Sequence, residues 1–320
     1  MTTMTSNRTR VALRPLALAC LLAGLPAGQS LAVDWSAVPA KTVTLAYAGQ
    51  ASWEWTLTKN DHEGAEKFRG GKDCRGCHDD ESIAKDGAKV AKGGKLEPAP
   101  IAGKPGHLSV KVQVAHDGSK LLFRLQWKET GTNANQSEVA AHASVMLSDA
   151  SVKEAVRAGC WAACHDDVDG MASAGTAPQE KYLGASRAKL GRSGGGANLK
   201  PQAEIDKLLA AGTFLEYWTA ALNPGKPPVA GNGYILDKTH AAATPSVSAE
   251  ASFAGGEWTV VLSRALAGAG PGQKSLAAGA TYPVGIAIHD GSTKGRWHYV
   301  SMEHSLSIDS GAADFVAKKN

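Results

Sequence analysis

Two short stretches set paired cysteines immediately before a histidine. One is DCRGCHDD, with Cys74, Cys77 and His78, and the other is GCWAACHDD, with Cys160, Cys164 and His165. Few patterns constrain a chain more. Two thiols so spaced can add across the two vinyl groups of one macrocycle, while the histidine after the second becomes the proximal ligand of its iron. The first stretch is C-x-x-C-H letter for letter. The second carries one extra residue between its thiols and reads as a variant attachment site. Two covalently attached haems c are therefore the expectation. Paired cysteines also serve thioredoxin-like redox sites and zinc sites. Here, however, each pair has its own histidine directly downstream, and the pairs lie 86 residues apart. A disulfide within either pair is the remaining alternative.

The amino terminus points to the same chemistry through the compartment. Arg8, Arg10 and Arg14 form a basic region, Leu16 to Leu25 an apolar one, and Ser30-Leu31-Ala32 a small-residue cleavage site before Val33. We read residues 1–32 as a secretory signal cleaved after about Ala32, which makes the mature protein periplasmic. Cys20 falls inside the removed segment, so the four remaining cysteines are all consumed by the two motifs. Reading Ala17-Leu18-Ala19-Cys20 as a lipoprotein cleavage site is less apt, since the apolar region continues past Cys20. No stretch reaches the ~18 apolar residues of a membrane span. Removing three arginines leaves 31 basic against 30 acidic residues. That balance offers nothing to nucleic acid or an anionic membrane.

Apolar residues make up 43% of the chain, enough for a substantial core. Strand-like alternation recurs over residues 41–49, 108–114, 122–127 and 144–149, and again over 257–266, 281–290 and 296–309. Asp117-Gly118 marks the turn of a hairpin. Helical patches are expected around Ala65–Phe68, over residues 151–159, over 178–190 and through 201–222. Residues 86–106, rich in Gly, Pro and Lys, read as a surface loop. Many short strands with helical insertions carrying the haem sites predict a mainly β fold, a β-sandwich, over residues 33–320. Within it, the first haem segment covers about 52–104 and the second about 105–310.

His62 lies 12 residues before Cys74, far enough for the chain to fold back, and is the first choice for the distal ligand of haem 1. Phe214, Tyr217 and Trp218 are candidates for a haem crevice wall, although aromatics at such spacing are more often plain core.

The phrases WEW…HEGAEKFRGGKDCRGCH, GCWAACHDDVDGM, EYWTAALNPGK and AIHDGSTKGRWHYVS resemble the haem-binding domain of ethylbenzene dehydrogenase and related dimethyl sulfoxide reductase-type enzymes, in its secreted multihaem form. The resemblance implies a β-sandwich with a haem at one end and an axial ligand from a late strand. His298 then stands where relatives with non-covalent haem have a lysine, and takes the distal role for haem 2. Arg296 is placed to clamp a propionate. His289, His142 and Met146 are rivals for the distal position. Met171, six residues past His165, is too near to cross to the opposite face, and Met302 is the other mature methionine. His107, His116, His240 and His304 are expected at the surface or behind the ligands.

No G-x-S-x-G, H-E-x-x-H or nucleotide-binding glycine loop is present. The reading is a periplasmic dihaem c-type cytochrome that carries electrons between a respiratory donor and a periplasmic oxidoreductase. Expected partners are periplasmic redox proteins. A molybdenum oxidoreductase and a membrane quinol-oxidising cytochrome are the leading candidates. An iron lacking its distal ligand would instead make a haem reductase or a redox or gas sensor.

Overall fold

The computed structural model describes Met1 and residues 33–49, 51, 53–58, 60, 62–131, 139–166, 180–189, 199–290 and 298–320, without the side chains of Glu54, Cys164, His165, Asp166 and Glu180. From Val33 onward these form one compact unit. The chain opens with strand β1 (Ala40–Tyr47) and three helices, α1 (Trp53–Thr56), α2 (Ala65–Arg69) and α3 (Asp80–Ala91). Strands β2 (His107–His116), β3 (Lys120–Lys128) and β4 (Ala141–Leu147) follow, then α4 (Lys153–Ala158) and a tight turn over Gly159–Ala162. Next come β5 (Ala163–Asp166), β6 (Glu180–Leu183), α5 (Gln202–Ala210), β7 (Leu215–Leu222), β8 (Val229–Ile235), β9 (Thr239–Ala241), β10 (Ser248–Ala254) and β11 (Glu257–Ala265). The chain ends in β12 (Thr281–Asp290), β13 (Tyr299–Val300), β14 (His304–Ile308) and β15 (Phe315–Lys319).

The expected mainly β architecture holds. β2 and β3 form the predicted hairpin, its turn fixed by the Asp117 carboxylate, which accepts from the backbone of Ser119 and Lys120, and by Gly118 at φ 92°. Strand periodicity sends Val110 and Val112 of β2 and Leu121, Phe123 and Leu125 of β3 into the core, all fully buried. β11 continues the sheet with Trp258 opposite Trp127, the two indoles stacked at 6.2 Å. In the facing layer β4 lies between β12 and β7. The layers meet where Phe123 packs edge-on against Trp218, centroids 5.7 Å apart. A buried Arg264–Glu216 ion pair at 2.9 Å closes the core beside Trp218.

The two layers are joined along one side. β1 bridges β2 and β13, β13 pairs β12, and β14 and β15 return from β12 to β2. Six strands thus close into a ring, a barrel-like seam on the expected sandwich.

Four sequence expectations need correction. Residues 86–91 belong to α3, which Asp79 caps by accepting from the Ser82 backbone at 2.8 Å. Residues 180–183 form strand β6 and not a helix. The helix begun at Gln202 ends before Gly212 (φ 78°), and residues 215–222 are strand β7. The expected strand 296–309 is divided in two by residues 301–303.

Candidate haem-binding cavities

A cavity of about 700 Å3 opens between the end of β1, α1, α2, the Cys74–His78 turn and α3. That volume lies in the about 300–1,000 Å3 range of cofactor pockets. Cys74, Cys77 and His78 line one wall and His62 faces them, so the structure brings together the whole predicted haem 1 set. Backbone hydrogen bonds from Cys77 and His78 to the Cys74 carbonyl wind the motif into a single turn. Asp73 accepts from Gly76 inside it, at 2.7 Å.

The two imidazoles are 6.2 Å apart between centroids, with planes 18° from parallel. Two metal–nitrogen bonds of about 2 Å in line with two ring radii of about 1.1 Å span about 6 Å, close to this separation. The tautomers agree with this. His62 donates from Nδ1 to the Thr56 carbonyl at 2.9 Å, and His78 turns Nδ1 toward the Asp86 carboxylate at 3.4 Å. With both Nδ1 atoms engaged, both Nε2 lone pairs are left for a metal. Trp55 packs beside His62, and Trp53 against Phe68 beneath it.

Burial and the neighbouring Glu303 push the Cys74 thiol well above its ordinary range, and burial pushes Cys160 up to about 12. Cys74, Cys77 and Cys160 form no disulfide.

A second cavity, of about 290 Å3, lies between the Cys160 turn and strands β4, β7, β12 and β13. Gly159 turns the chain at φ 56° to deliver Cys160. A Cβ on Gly285 would lie 2.5 Å from Cys160 Sγ, so β12 needs a glycine there to receive the thiol. His298 lines this cavity together with its three rivals, His289, His142 and Met146. His289 stacks on His298 at 4.8 Å and meets His142, its cross-strand partner, at 5.9 Å. Burial holds the His142 imidazole below its ordinary pKa. Cys164 and His165 lie on β5, His165 in register with Lys181 of β6. Their side chains, and Arg296 and Met171, lie outside the described residues.

Lys181 also lines this cavity, where burial lowers its pKa. The sequence reading missed it because a lysine in EKYL carries no spacing signal. Of the three aromatics proposed for a crevice wall, Tyr217 alone lines a haem cavity, while Phe214 and Trp218 are core. Of the histidines expected at the surface or behind the ligands, His116 and His304 are buried. His116 pairs with Asp309 at 2.6 Å, and His304 lies 3.7 Å from Asp314. His107 is exposed, and His240 is half-buried against Asp237 and Tyr234.

Comparison with known proteins decides the kinship. The family model described as ethylbenzene dehydrogenase matches residues 32–301, a span that takes in every lining residue of the two cavities except Met302. The chain belongs to the ethylbenzene dehydrogenase family. Two relatives resemble it over nearly their whole lengths. Cytochrome c-552 of Stutzerimonas stutzeri is 36% identical over 293 residues, covering 89% of this chain and 90% of its own. Cytochrome c-551 of Rhodocyclus tenuis is 32% identical over 298 residues, covering 90% of this chain and all of its own. The ethylbenzene dehydrogenase match stops before β14 and β15, the strands that complete the ring.

Proposed function

We propose that this chain is a periplasmic dihaem c-type cytochrome, an electron carrier between a respiratory donor and a periplasmic oxidoreductase. The observation that carries the reading is the His62–His78 pair, 6.2 Å apart, in one cavity with Cys74 and Cys77. Each bound haem supplies a one-electron ferric/ferrous couple. Cys74 and Cys77 would hold the first macrocycle as thioethers, with His78 as its proximal and His62 as its distal ligand. Cys160 and Cys164 would hold the second, with His165 proximal, His298 distal and Arg296 on a propionate. Two protein ligands at each iron would leave no position for substrate, which suits a carrier. No described helix is long and apolar enough to cross a membrane. The names of the two relatives, both cytochromes c, support the same chemistry. A molybdenum oxidoreductase or a membrane quinol-oxidising cytochrome is the partner class proposed.

Spectroscopy of the isolated protein tests this. Two low-spin irons that take up no carbon monoxide are expected. A high-spin iron that binds carbon monoxide would instead make the protein a reductase or a sensor. His298→Ala is expected to convert one haem to high spin, whereas an unchanged low-spin spectrum would pass the distal role to His289, His142 or Met146.

A further inference from the structure

The two cavities share a wall one residue thick along the chain. Cys160 lines the second cavity, and its immediate neighbour Trp161 lines the first. On the other side of this wall, Val300 lines the second cavity and Met302 the first. The two segments touch with no layer between them, since a Cβ on Gly159 would come within 2.6 Å of the Met302 carbonyl oxygen. The first attachment motif is tied to the same wall, as the Cys74 amide donates to the Arg157 carbonyl at 2.9 Å. Trp161 packs against the cluster of Trp53, Phe68, Ala158 and Tyr182, as Cys74 does. Its ring therefore sits among residues of the first site while its backbone is one peptide bond from the thiol of the second.

We propose that Trp161 is the bridge through which electrons pass between the two haems, so that the pair works as one wire within a single molecule. This rests on the dihaem reading above. One electron leaves ferrous iron at the first site, which becomes ferric, and reduces ferric iron at the second. No bond forms or breaks and no proton moves. The indole offers a packed, polarisable contact at the first site, and the Cys160 thioether continues the path covalently to the second macrocycle. An aliphatic side chain would leave part of that volume as a gap across which contact is lost.

The test uses half-reduced holoprotein, in which exchange NMR on the shifted haem methyl signals reads electron exchange between the two sites. The expected result is an exchange rate independent of protein concentration, slowed several-fold in Trp161→Leu and largely retained in Trp161→Phe, with both haems low-spin throughout. Exchange that scales with concentration, or that is unchanged in Trp161→Leu, would overturn the bridge while leaving a dihaem carrier intact. Should Trp161→Leu fail to load, Trp161→Phe decides: loss of dilution-independent exchange in that variant overturns the role of the aromatic ring. A mass corresponding to one haem would remove the dihaem reading itself, and the bridge with it.

Discussion

Glu303 illustrates how the first attachment motif is held. It is buried, accepts the Arg75 amide at 2.8 Å from inside the C-R-G-C-H turn, and burial raises its pKa to about 7 from 4.5. A carboxyl whose folded pKa exceeds its unfolded one stabilises the fold at low pH and loses that contribution as pH rises. Over this shift the loss is on the order of 3 kcal/mol. Stability measured by denaturant titration should therefore fall between about pH 4.5 and 7, and Glu303→Gln should flatten the slope. Equal slopes in both proteins would remove Glu303 as the cause. Gly285 makes a similar claim for the second site. Gly285→Ala pushes a Cβ to 2.5 Å from Cys160 Sγ, which should cost about 1–3 kcal/mol and lower haem loading there. Haem content per protein measures it, and full loading would contradict the fit. At this scale the sequence singled out the candidate ligands. The cysteines and adjacent histidines announce themselves by spacing, and His62 by its distance from Cys74. Lys181, Gly285 and Glu303 do not, because their roles come from contacts across the fold.

At the level of elements, alternation identified the strands with one polar and one apolar face, and the Asp117-Gly118 turn identified their hairpin. It failed where composition misled. Residues 86–91 hold Gly and Lys and read as loop, yet Gly87 sits within α3 because a Cβ there would meet the Gly106 carbonyl oxygen at 1.9 Å. Gly87→Ala is accordingly expected to destabilise the protein. The gain of about 1 kcal/mol in helix propensity is outweighed by separating α3 from the chain entering β2. A raised melting temperature would contradict this. The residues of β7, which read as helix, are fixed as strand by pairing with β4 and β8 on either side. Trp218 consequently points into the core against Phe123 and not into a haem crevice. Trp218→Ala should cost about 3–5 kcal/mol in denaturant titrations while leaving both haem spectra unchanged.

Across the whole molecule, the ring of β1, β2, β12, β13, β14 and β15 gives the sites their support. β1 leads into the first cavity, while β12 and β13 wall the second. Arg75 reaches from the first attachment turn to Asp314, at 3.0 Å, and fastens that turn to the end of the chain. None of this closure was legible in the sequence, because β13 is two residues long and β15 pairs in parallel with its neighbour β14 and with the distant β2. The molecule is thus read as a β scaffold whose helical insertion and Cys160 turn present two candidate anchoring sites on either side of a thin wall. The mass of the denatured, secreted protein tests that reading most directly. The account predicts the polypeptide from about Val33 plus two haems, one on the peptide containing Cys74 and Cys77 and one on the peptide containing Cys160 and Cys164. A polypeptide bearing no covalently attached haem would contradict it.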